Sequence, residues 1–171
     1  MACRGVHFAL TDEQLKGLLA ARSDRAKIDF LQEKVEKAWD EENLVETDKA
    51  WEAIHRALAR MDPKDQKMPE GSSEDPLAMV ILGAKPVLKN EEKSAYIIRL
   101  IEPRHLPAIA AALATIDEAE FRTRFDTYCR PADDDFDDDH LEYAWDWFQA
   151  VSKFFKKVAN QGRAVVFSVD Q

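Results

Sequence analysis

Two histidines and a tryptophan are the first residues in this chain whose types and spacing could do chemistry. Trp51 and His55 stand one helical turn apart and share a face, while His7 falls in an alternating segment that reads as a strand able to pack nearby. An aromatic floor with two imidazoles for polar contacts would suit a small-molecule site or a dispersed active site. The competing reading makes each histidine a satisfied structural residue. A second group is denser: Asp133, Asp134, Asp135, Asp137, Asp138 and Asp139 put six carboxylates into seven positions around Phe136. A calcium loop counted from Asp133 needs glycine at its sixth position and a bidentate acid at its twelfth, where this chain has Asp138 and Ala144. Three readings stay open: a solvated loop whose last aspartates cap the following helix, an acidic surface for a basic partner and, least favoured by that mismatch, a cation site.

Other chemistries lack their residues. Cys3 and Cys129 have no neighbouring ligands and are expected to be two reduced thiols; Arg4 beside Cys3 would favour its thiolate, although a residue so near the terminus is more often inert. His105 and His140 complete a set of four histidines that contains no His-x-x-x-His pair, so no metal site is expected. Five scattered glycines form neither a phosphate loop nor a dinucleotide fingerprint, and no cofactor is expected. The reading on catalysis leans toward a protein that is not an enzyme. Of 171 residues, 24 are basic and 33 acidic, a formal charge of -9, and residues 101–142 alone hold 4 basic against 12 acidic side chains. The rest is nearly balanced, and no cluster of Lys and Arg is available to displace counterions from nucleic acid. No apolar run approaches the ~20 residues of a membrane span, and the first ten residues lack the apolar core of a signal peptide, so a cytoplasmic location is expected.

The elements that must position these residues follow from periodicity. Val6, Phe8 and Leu10 alternate as in a half-buried strand. Thr11 and Gln14 form a capping box that opens a helix through Leu15, Leu18 and Leu19. A second helix begins near Ser23-Asp24, with Ile28, Leu31, Val35, Ala38 and Trp39 on one face, and a third runs from Thr47 through Ala50, Trp51, Ile54 and Leu58. Residues 62–75 read as an exposed loop, and the apolar run 76–83 is ambiguous between helical turn and strand. Residues 95–101 read as a strand stopped by Pro103, 106–116 as an Ala-rich helix, and 117–120 as the acidic start of another. The longest helix spans about 138–160. One of its stripes holds Leu141, Ala144, Trp145, Phe148, Val151, Phe155 and Val158; an adjoining one holds Tyr143, Trp147, Ala150 and Phe154. Both stripes default to core, with a partner or second copy against Tyr143, Trp147 and Phe154 as the alternative. Gly162 suits a left-handed turn before a final strand at 164–169. The expectation is one α+β domain over residues 1–171, with a small mixed sheet that includes both chain termini and several helices packed on it.

The opening 3–10 segment Cys3-Arg4-Gly5-Val6-His7-Phe8-Ala9-Leu10, the 48–55 segment, Pro76-Leu77 with Ile81-Leu82-Gly83, and Tyr143-Ala144-Trp145 leading to Gly162-Arg163-Ala164-Val165-Val166-Phe167 together resemble the YfbM-like family of bacterial proteins, a domain of unknown function. The resemblance implies a single α+β domain and a bacterial origin, and it brings no catalytic motif. The leading functional expectation is therefore a small acidic interaction protein, in the manner of an immunity protein or antitoxin, whose residues 133–139 steer a basic protein partner. The alternative is a small-molecule-binding protein or enzyme around His7, Trp51 and His55. A homodimer joined through the long helix is a third expectation, and the sequence leaves oligomeric state open.

Overall fold

In the computed structural model, which describes residues 4–65, 74–82 and 85–170, the alternating first segment is strand β1, Gly5–Ala9. Every residue of β1 is buried, between apolar clusters packed on both faces of the sheet it belongs to. Val6, Phe8 and Leu10 face one core with Leu18 and Leu31; Ala9 and the other side of the sheet face a second, larger core with Trp51, Phe148 and Phe155. The layers are thus helix pair, sheet and helix group.

Helices α1 (Asp12–Ala20) and α2 (Asp24–Lys34) form the first layer. Thr11 and Gln14 make the expected reciprocal cap, the Thr11 hydroxyl accepting from Gln14 N–H at 3.1 Å and the Gln14 carboxamide from Thr11 N–H at 2.9 Å. Only Leu18 of the expected leucine face is fully buried, and Leu19 points to solvent. The second helix stops at Lys34 instead of running on through Trp39: residues 36–38 tighten into a 3₁₀ turn and Trp39 takes a left-handed backbone, φ 42°. The chain then forms β2, Leu44–Asp48, where the third helix was expected to begin. Thr47 lies in that strand and its hydroxyl donates to the Gly5 carbonyl at 2.9 Å. Helix α3 starts four residues later, Trp51–Ala59.

Residues 76–82 are neither helix nor strand. They form a buried run of turns, with Val80 and Ile81 fully enclosed, while Gly83 lies outside the described residues. Of the expected 62–75 loop, residues 66–73 are likewise outside them. A two-residue strand β3, Lys85–Pro86, and β4, Tyr96–Ile101, follow. Helices α4 (Leu106–Leu113), α5 (Glu118–Tyr128) and α6 (Asp138–Ala159) precede the last strand β5, Val165–Asp170. Gly162 has φ 64°, as its role after α6 requires.

The strand order is β2-β1-β5-β4-β3, and each pairing is antiparallel, a correction to the mixed sheet expected. The reason lies in the connections. Helices α1 and α2 return the chain to the end where β1 finished, so Leu44 starts β2 opposite Phe8; helices α4 to α6 likewise bring Val165 opposite Ile101. One α+β domain with both terminal strands side by side at the sheet's centre results.

Candidate functional site

His7, Phe167 and Arg99 lie in register across the sheet on the face of the larger core. The His7 ring packs on Phe167 with centroids 4.8 Å apart and edge-on to Phe155, and Trp51 packs on the same Phe167 ring from α3. His55 follows one turn along. The three sequence candidates are therefore brought into one region, but as enclosed core: His7 is fully buried, His55 1% and Trp51 8% exposed, and none lines a described cavity.

Their electrostatics match that position. His7 Nε2–H donates to the Val80 carbonyl at 2.7 Å, which fixes the tautomer, and among the described residues its Nδ1 and both ring nitrogens of His55 have no hydrogen-bond partner. Burial pulls the His7 imidazole down to about 4, with the Val80 contact opposing it; burial and then the cations Arg56 and Arg99 pull His55 to about 4. Both rings are neutral at pH 7. Arg99, which sequence reasoning passed over, forms a largely buried ion pair with Glu91. Its signal was legible: Ile97, Arg99 and Ile101 share a strand face, and an arginine in an apolar stripe needs a partner. Cys129 is buried, its thiol pushed up to about 12 mainly by burial, so it is no nucleophile. Cys3 lies outside the described residues.

The aspartate segment divides into two roles. Asp137 caps α6, its carboxylate accepting the His140 N–H at 2.9 Å and the His140 ring N–H at 2.9 Å; these bonds hold its carboxyl below the usual range. Asp133 closes a turn by accepting from Asp135 N–H at 3.0 Å. Asp138 is paired with Arg130 and lies 3.9 Å from the Arg122 guanidinium; Arg130 also holds Asp126 at 2.6 Å and the Phe136 carbonyl at 3.3 Å. Arg130 thus pins the segment to the end of α5, a role no local motif announces. The side chains of Asp134, Asp135 and Asp139 are exposed and make no hydrogen bond or ion pair among the described residues. Among those residues no group of three or more His, Cys, Asp or Glu could hold a metal ion.

The acidic segment borders a groove of about 360 Å³ between the first turns of α3 and α6. Phe136, Ala53, Ala144 and Tyr143 give it apolar walls, and Asp139, His140 and Lys49 sit among its polar groups. The Tyr143 hydroxyl donates to Asp48 at 2.7 Å, so one side of the groove is braced from β2. Such an arrangement can receive an apolar or aromatic side chain while carboxylates alongside attract positive charge. Of the second stripe of α6, Tyr143 is exposed, Trp147 and Ala150 are half-buried, and Phe154 is in the core.

Comparison with known proteins extends this picture at the level of fold. The crystal structure of YfbM from Escherichia coli, a protein of unknown function, superposes with a TM-score of 0.66 at 16% identity, covering 97% of this chain and 99% of that one. At that identity the likeness establishes the fold. No curated protein sequence matches the chain. Residues 1–168 match the family described as domain of unknown function DUF1877. With that match running from one end of the sequence nearly to the other, the chain belongs to the DUF1877 family, of YfbM-like α+β domains.

Proposed function

We propose that this chain is an interaction protein of the bacterial cytoplasm that docks a basic protein, with the groove between α3 and α6 as its seat and Asp134, Asp135 and Asp139 as its steering charges. The observation that carries the reading is the junction of the two features: Asp139 lines a groove with aromatic walls, and Asp134 and Asp135, likewise left out of the internal network, belong to the segment whose Phe136 forms one of those walls. Charge of one sign beside an apolar seat raises the association rate of a partner of opposite sign, and the buried contact then holds it. An immunity protein or antitoxin that neutralises a basic toxin is the form we favour. The enclosure of His7, Trp51 and His55 in the larger core disfavours the small-molecule alternative.

The test uses affinity capture from the host with three baits: the wild type, Asp134→Asn/Asp135→Asn/Asp139→Asn, and a control of equal charge change, Glu13→Gln/Glu41→Gln/Glu92→Gln. A basic protein retained by the wild type and the control but lost from the aspartate variant is expected. Equal retention by all three baits would overturn the proposal.

A further inference from the structure

The opposite face of the sheet is covered only in part. Helices α1 and α2 close it over Leu10, Leu100 and Val166, and where α2 ends the chain leaves a recess of about 170 Å³ toward the other end of the strands. Val6, Phe8 and Ser168 form its floor, since alternation in β1 and β5 puts all three on this face. Tyr96 stands at one side, in register with Asp170, and Glu46 stands on β2 in register with Val6. Glu36 and Trp39 come from the tight turns after α2. The recess thus joins five separate stretches of chain.

Its chemistry is uneven in charge and rich in ring surface. Three carboxylates, Glu36, Glu46 and Asp170, meet one guanidinium, Arg4, which is already engaged by Asp48 at 3.4 Å. Trp39 is 41% exposed, its indole touching Phe8 edge-on at 6.1 Å, and it is held in a left-handed conformation that a bulky residue adopts at a cost. An indole kept in solvent beside carboxylates is the pairing that receives an organic cation, through ring quadrupole and ionic hydrogen bonds together. The surroundings of Glu36 agree with this. Its carboxylate accepts from Ser168 at 2.9 Å, yet burial, with the Asp170 carboxylate adding to it, raises its pKa above the ordinary value. A cation seated there offsets both penalties.

We propose that this recess binds a free alkylammonium, a small aliphatic amine whose charged end sits among Glu36, Glu46 and Asp170 and whose stem lies on Trp39 and Phe8. The ligand is small because the recess holds only about 170 Å³ and its floor is the sheet itself. The site is on the opposite face of the sheet from the docking groove and does not depend on it.

The experiment follows the Trp39 indole N–H resonance, assigned with Trp39→Phe, as labelled protein is titrated with butylammonium chloride. Butanol, potassium chloride at matched ionic strength and N-acetyl-lysine amide serve as parallel titrants. Expected is a saturable shift with butylammonium alone, weakened about tenfold or more by Glu36→Gln or Asp170→Asn and unchanged in the Asp134/Asp135/Asp139 variant. No saturable shift up to about 10 mM amine overturns the proposal. So does an equal response to butanol or potassium, and N-acetyl-lysine amide binding as tightly as the free amine would reassign the recess to a protein side chain.

Discussion

His7 and His55 carry opposite costs although both are buried and both are neutral at pH 7. His7 satisfies the buried Val80 carbonyl, so His7→Leu strands that oxygen and is expected to cost about 1–3 kcal/mol in urea unfolding. His55 has no partner for either nitrogen among the described residues, so His55→Leu removes two unsatisfied polar atoms and is expected to leave stability unchanged or raised. A loss above about 2 kcal/mol for His55→Leu would mean that the ring is hydrogen-bonded after all. The same pair sets a pH dependence. The unfolded rings titrate near 6.5 and the folded ones at about 4, so between these values the unfolded chain binds more protons and stability falls as pH falls. Each ring contributes on the order of 3 kcal/mol to that fall. Glu36, raised in the fold, opposes it weakly near the low end. Unfolding midpoints measured from pH 7 to pH 4 should drop steeply in the wild type and by a visibly smaller amount in His55→Leu; equal slopes would contradict the assignment.

Among the elements, those written in local chemistry were legible and those decided by tertiary contact were not. The Thr11–Gln14 box, the Asp137 cap, Gly162 and the β-branched runs of β4 and β5 specify their own conformations. Strand β2 was missed because Leu44–Asp48 carries two acids and no aromatic, and only its pairing with β1 makes it a strand. Val35, Ala38 and Trp39 continue the apolar spacing of α2 in the sequence, but only Val35 is buried; Ala38 and Trp39 lie exposed in the 3₁₀ turn and the left-handed residue after it. The alternation of β1 identified Val6, Phe8 and Leu10 as one buried face but gave no sign that Gly5, His7 and Ala9 are buried equally on the other. Gly5 shows why that matters: a Cβ there would lie 2.5 Å from Thr47 Oγ1 and 2.8 Å from the Phe167 ring. Gly5→Ala is therefore expected to destabilise by about 1–3 kcal/mol, and a thermal midpoint at the wild-type value would show that β2 can yield. In the acidic segment, Asp137→Ala should lower the midpoint by removing the cap of α6, while Asp134→Ala should leave it unchanged. Equal effects would erase the division between structural and free aspartates.

At the scale of the whole molecule, the charge of -9 is concentrated where the sequence placed it, and the structure divides that concentration. Asp133, Asp137 and Asp138 are spent on a turn, a cap and the Arg130 network, which fix where the segment lies. Asp134, Asp135 and Asp139 are left to face solvent, and Asp139 lines the groove. The histidine pair, by contrast, is absorbed into the larger core, because α3 and α6 pack on the face of the sheet where His7 lies. That burial was not visible from spacing, which fixes which residues share a face but not what covers it. Steering by these free carboxylates acts through association rate and is screened by salt. The most direct measurement is the association rate constant of the captured basic partner at rising salt, for the wild type and for Asp134→Asn/Asp135→Asn/Asp139→Asn. The wild-type rate should fall steeply with salt while the variant starts slower, by about tenfold at low ionic strength, and changes little. Identical rates and identical salt dependence in the two proteins would contradict the account.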